Sequence, residues 1–160
     1  MYHDEPAVQA EVGVQPQSIN DVLPQESMLY CIADASWKSV DEMAGIGWSL
    51  YSRQGTLMMQ GSSAIAPTNS ALEAEAMATL LAVQQLHRLH FKDVIILGDN
   101  AQLFKSLEDQ RGKVQDILNI AKQNAFSFKH VPRKLVHQVD QLAKRARMLN
   151  QQYVITWFSV

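Results

Sequence analysis

The chain has 160 residues, 47% of them hydrophobic and 19% charged, with a formal net charge of -2. That length suits one domain with a substantial core, and the single cysteine, Cys31, excludes an internal disulfide. No apolar run nears the ~18 residues of a membrane span, and "MYHDEPAVQAEVGVQPQ" has neither the basic start nor the apolar core of a signal peptide, so an intracellular, non-secreted protein is expected.

Residues 1–26 hold five acids (Asp4, Glu5, Glu11, Asp21, Glu26) and no Lys or Arg. Rich in Gln, Pro and Val, they read as a flexible acidic leader. Residues 27–150 read as one domain and 151–160 as a tail. "MLYCIADASW" (28–37) predicts a strand. "AGIGWSLYSR" (44–53) alternates Ile46, Trp48 and Leu50 with smaller or polar residues, and "GTLMMQGSSAI" (55–65) predicts a third strand. Arg53-Gln54-Gly55 suits the turn between the last two. From Ser70 to His90 there is no Gly or Pro, and Ala, Leu, Glu and Gln dominate, so the spacing predicts a long helix. A strand over 93–98, a helix from Asn100 to about Glu108 and a helical stretch over 113–124 follow. "FSFKHV" (126–131) predicts a strand closed by Pro132, and Leu135 to Leu149 a last helix. The tail "YVITWFSV" is apolar and β-prone, with no assignable place.

Three adjacent strands can pair antiparallel, whereas strands separated by helices add in parallel through right-handed crossovers. The expected fold is α/β: a mixed five-stranded sheet, three antiparallel strands then two parallel ones, flanked by helices. Ligands of such sheets gather at the carboxyl ends of parallel strands.

Carboxylates fall at that end. Asp34 lies toward the end of the first strand, sharing a face with Ile32 and Ser36 while Cys31, Ala33 and Ala35 take the other. In "ILGDNAQLF" the fourth strand ends on Asp99. Glu75 rides the long helix on a stripe with Ala78, Ala82 and Leu86, which should press on the sheet. Glu73 competes for its role, but that stripe favours Glu75. Asp140 opens the last helix. Four converging acids repel one another unless a cation intervenes, and oxygen ligands suit Mg²⁺ or Mn²⁺. Two such ions are a known device for phosphoryl hydrolysis. Taken singly, each acid also suits a cap or surface role; Asp99 could cap the helix after it.

"IADASW", "ALEAEAMATLLAVQQL", "VIILGDNAQLFKSL" and "FKHVPRKLVHQVDQLAKRA" resemble, in order, the four motif blocks of ribonuclease H. The likeness is strongest to the reverse-transcriptase-like RNase H domains of plants, of non-LTR retroelement type. The resemblance covers residues 28 to 147. It implies an RNase H-like fold and endonucleolytic cleavage of the RNA strand of an RNA–DNA hybrid by a two-metal mechanism. Asp34, Glu75, Asp99 and Asp140 match the family's metal-holding carboxylates. The alternative is a catalytically weak relic of the same fold, binding nucleic acid or protein. A 3′–5′ exonuclease on the related fold lacks its Asp-x-Glu here, because Asp34 is followed by Ala35 and Ser36.

The sequence also departs from the family pattern. A histidine carried on a flexible loop in many relatives has no such loop here, where "VPRKLVH" is short and Arg133 lies nearby. The asparagine expected four residues before the last aspartate is Val136. No basic helical protrusion follows Leu89. Ser36, Asn69, Asn100 and Arg133 are candidate nucleic-acid contacts. Asn69 and Asn100 could donate to ribose 2′-hydroxyls, or serve as caps. His87 and His90 are spaced to share a metal but lack a third ligand. His130 and His137 are near the motifs, and Trp37 and Trp48 suit stacking or the core. The basic C-terminal third (Lys122, Lys129, Arg133, Lys134, Lys144, Arg145, Arg147) fits a phosphate-facing surface or a solvated face. A monomer is expected.

Overall fold

The computed structural model describes Ile19, Val22, Leu23 and residues 29–112 and 114–158. The flexible-leader expectation otherwise lies outside the described residues; Ile19, Val22 and Leu23 pack on the domain. In chain order the elements are β1 (Leu29–Ser36), β2 (Ala44–Ser52), β3 (Leu57–Ile65), α1 (Ala71–Arg88), β4 (Val94–Gly98), α2 (Ala101–Glu108), α3 (Gln115–Asn124), β5 (Ser127–His130), α4 (His137–Met148) and β6 (Val154–Trp157). A 3-10 turn over Arg133–Val136 leads into α4, where the sequence predicts α-helix from Leu135.

The strands form one sheet in the order β5-β4-β1-β2-β3-β6. β1 pairs antiparallel with β2 and parallel with β4, which pairs parallel with β5. The five expected strands take their expected directions. The sheet has a sixth because the tail closes onto the edge of β3 in antiparallel register, Met59↔Trp157 to Ser62↔Val154. The chain is pinned just before it. Gln151 donates from its side chain to the Ser62 carbonyl and hydroxyl, and Trp48 Nε1 donates to Tyr153 Oη at 3.0 Å.

Strand alternation divides the interior in two. Cys31, Ala33, Ile46, Trp48 and Leu50 face α1, α2 and α3 and pack with Ala78, Ala82, Leu86, Phe104 and Ile117. Tyr30, Ile32, Tyr51, Ile95 and Leu97 face the other way and pack with Val136, Val139 and Leu23. Burial of each large side chain contributes about 1.5–3 kcal/mol.

On that second side α4 lies unusually close to β2, because the residues beneath it are glycines. A Cβ on Gly47 would sit 3.2 Å from the Ala143 nitrogen and the Val139 carbonyl, and one on Gly45 would run into the Ala143 carbonyl. The small pair admits the helix backbone itself, which fixes the height of Asp140 over the sheet.

Candidate metal centre

Parallel pairing of β1 and β4 places the first two carboxylates side by side. The last paired residues are Ile32↔Leu97, and Asp34 and Asp99 each lie two residues beyond. Asp34 is 3% exposed although it is an acid, because it faces α4 from the middle of the sheet.

The third carboxylate comes from the first turns of α1. Ser70 caps this helix by accepting from the Glu73 N–H at 3.1 Å, while Glu73 Oε1 accepts from the Asn69 N–H at 3.0 Å. This variant of the capping box occupies Glu73 at the surface. Glu75, 5% exposed, turns inward instead, and its Oε1 accepts from the Ala35 N–H at 2.7 Å, directly beside Asp34. One carboxylate oxygen each from Asp34, Glu75 and Asp99 then lie within 4.8 Å of one another.

Asp140 stands at the rim of this group. Arg133 lies between it and the rest, its guanidinium 3.7 Å from Asp99 Oδ2 and 4.0 Å from Asp140 Oδ1. The Arg133 side chain is 79% exposed, so these are weak, solvated ion pairs. His130 closes another side. Its backbone N–H is held by Glu108 Oε2 at 2.9 Å, and its Nε2 lies 3.2 Å from the Asp99 carbonyl oxygen.

The electrostatics are those of carboxylates crowded together and buried. Burial pushes the Asp34 carboxyl up from 3.8 to about 7, and the charges of Asp99 and Asp140 add to the rise, against a lowering hydrogen bond to Glu75. Burial first, and Asp34 beside it second, hold Glu75 well above the usual carboxylate range. Glu75 Oε2 is buried and receives no donor from any described group. A buried acceptor cannot stay so without cost. Either a proton is shared with Asp34 or a cation sits among the oxygens. The donor set, all hard oxygen, fits Mg²⁺ or Mn²⁺.

The other candidates are distributed as follows. Ser36 Oγ accepts from Arg147 Nε at 3.0 Å. Asn100 caps α2, its side chain accepting from the Leu103 N–H at 2.9 Å. Asn69 is exposed one residue before the α1 cap. Trp37 Nε1 donates to the Thr68 carbonyl at the rim, while Trp48 is wholly buried. His87 Nδ1 pairs with Asn124 Nδ2, and no metal-holding group among the described residues contains His87 or His90. His137 opens α4 at the surface.

The fold is RNase H-like, and it carries this carboxylate cluster. The family model described as reverse transcriptase-like matches residues 33–146, and the chain belongs to that family. No curated protein matches the sequence. Among solved structures, RNase H1 from the halophilic archaeon Halobacterium salinarum is 23% identical with a TM-score of 0.64, over 74% of this chain and 96% of that one. LC11-RNase H1, isolated from compost and solved in complex with an RNA/DNA hybrid, is 18% identical with a TM-score of 0.68, over 76% and 97%. The foamy viral protease-reverse transcriptase, solved with an RNA/DNA hybrid, is 15% identical with a TM-score of 0.63, over 90% and 24%. At these identities the likeness is one of fold.

Proposed function

We propose that the protein is a metal-dependent endonuclease that hydrolyses the RNA strand of RNA–DNA hybrids. The observation that carries this reading is the buried trio Asp34, Glu75 and Asp99, with a Glu75 oxygen that no described protein group satisfies. Asp34, Glu75 and Asp99 would hold a divalent cation, and Asp140 at the rim would help hold a second. Bound Mg²⁺ or Mn²⁺ supplies Lewis acidity toward the phosphodiester and lowers the pKa of a bound water.

The chain's own residues supply the rest. Arg133 is exposed beside Asp99 and Asp140, which supports a role in pairing with a substrate phosphate. The His130 imidazole, fixed against the Asp99 backbone, is within reach to carry a proton to or from the reacting oxygens. The solved hybrid complexes of LC11-RNase H1 and of the foamy viral enzyme support the choice of substrate.

The test is a labelled RNA–DNA hybrid with Mg²⁺ or Mn²⁺, beside double-stranded RNA and double-stranded DNA. Internal cuts in the RNA strand of the hybrid, with duplex DNA spared, are expected. Stepwise release of mononucleotides from one end would replace this reading with an exonuclease. Absence of cleavage with salt-sensitive hybrid binding retained would point to a binding relic.

A further inference from the structure

The family match ends at residue 146, and β6 lies wholly beyond it. This added strand turns one edge of the sheet into an uncharged, apolar border. Trp157 is 60% exposed, Val154 47%, and Tyr153 and Phe158 each 39%; Met148 and Leu149, at the end of α4 leading into it, are 67% and 64% exposed. At the 150–250 Å² a large side chain can bury, these six offer about 600 Å², not far below the roughly 800 Å² per partner of a standard interface. Exposed sheet edges are ordinarily blunted by Lys, Glu or Pro. From Leu149 to Val160 there is no charged residue and no proline.

We infer that β6 is a dimerisation edge, at which two copies of this chain pair their β6 strands antiparallel about a two-fold axis. Three features favour a second copy as the occupant. Close to a two-fold axis a residue meets its own copy, so any charge there would face a like charge, and this segment has none. An antiparallel neighbour also continues the run β1-β2-β3-β6. Third, the backbone is in phase. The Phe158 N–H donates to the Met58 carbonyl at 3.1 Å, toward β3. By strand alternation Val154 and Thr156 also turn their backbone groups to β3, while Ile155 and Trp157 turn theirs outward. An axis at Thr156 sets Ile155 opposite Trp157 of the second copy as a hydrogen-bonded pair. It also sets Val154 opposite Phe158. Each aliphatic side chain then meets an aromatic one, a favoured cross-strand combination. The monomer expected from sequence gives way to a dimer joined through one continuous sheet.

The experiment is sedimentation of the full chain over a concentration series, with two variants. The parent should move from monomer to dimer as concentration rises. Trp157→Lys places charges in proximity across the axis and should remain monomeric, with the parent monomer's melting temperature. Thr156→Cys is the second arm, informative even if the lysine variant folds poorly. The Thr156 pair does not exchange hydrogen bonds, so the two Cα atoms come close enough for a disulfide. The only other cysteine, Cys31, is buried. Oxidation should therefore lock Thr156→Cys as a covalent dimer. A parent that is monomeric throughout, a dimer indifferent to Trp157→Lys, or a Thr156→Cys that does not crosslink would each overturn the proposal.

Discussion

Replacing Asp34 with asparagine should raise the melting temperature of the metal-free protein. The folded-state carboxyl is lifted from 3.8 to about 7. A raised acid pKa means the folded state binds more protons than the unfolded chain between those values, so stability falls as pH climbs from 3.8 through about 7. At 1.36 kcal/mol per pH unit, the full shift would cost at most about 4 kcal/mol above that window. Glu75 stays buried and hard to ionise in the variant, so the recovered part is smaller, about 1–2 kcal/mol, or roughly 2–8 °C for a domain of this size. Melting in EDTA at about pH 8, and again near pH 4, reads it directly: the variant should melt higher at the first pH and lose its advantage at the second. Added Mg²⁺ or Mn²⁺ should stabilise the parent by mass action and the variant much less. If Asp34→Asn melts lower in EDTA at both pH values and responds to metal as the parent does, Asp34 is a structural residue and the shared cation site is wrong.

Further substitutions separate the roles proposed for neighbouring residues. Glu73→Ala should cost about 0.5–1 kcal/mol through the lost hydrogen bond from the Asn69 N–H, the Ser70 cap being kept, and leave the metal-induced rise in melting temperature intact, whereas Glu75→Gln should abolish that rise. Arg133→Ala should weaken hybrid binding and flatten its salt dependence more than Arg88→Ala, measured by titration at two ionic strengths, because only Arg133 flanks the carboxylates. Gly45→Ala drives a Cβ into the Ala143 carbonyl. It should destabilise the protein by about 2 kcal/mol or more in a denaturant titration, and by lifting α4 it should reduce cleavage beyond what that loss explains.

Asp34 and Asp99 were legible because strand periodicity and parallel pairing are local rules: once β1 and β4 are neighbours, two aspartates ending them meet. Glu75 could be told from Glu73 by the Ala78, Ala82 and Leu86 stripe, which packs on the sheet as the helical period requires. The place of the tail was not legible, since "YVITWFSV" suits either open edge and only Gln151, Tyr153 and their long-range partners select β3. Arg133 is expected to flank the acidic site and does lie beside Asp99 and Asp140, but the 3-10 turn that carries it there has no periodicity to betray it. For His130 the sequence leaves two readings open, a catalytic residue or one that merely alternates outward from its strand. Its position against Asp99 follows from the register Gly98↔His130, which no local pattern encodes.

The carboxylates are drawn from both sides of the sheet. Glu75 rides a helix packed on one interior, and Asp140 rides the helix that covers the other. Neither half of the fold alone can bring the set together. During synthesis the strands β1 to β5 and helices α1 to α3 emerge first, while the second interior still lacks Val136 and Val139. Assembly waits for the last helix to settle onto Gly45 and Gly47. A nascent chain therefore carries Asp34, Glu75 and Asp99 beside the very message that encodes it before Arg133 and Asp140 can join them. For a protein proposed to cut RNA, that order of arrival is a built-in delay: the carboxylate set is completed only once the helix that carries Asp140 has been made.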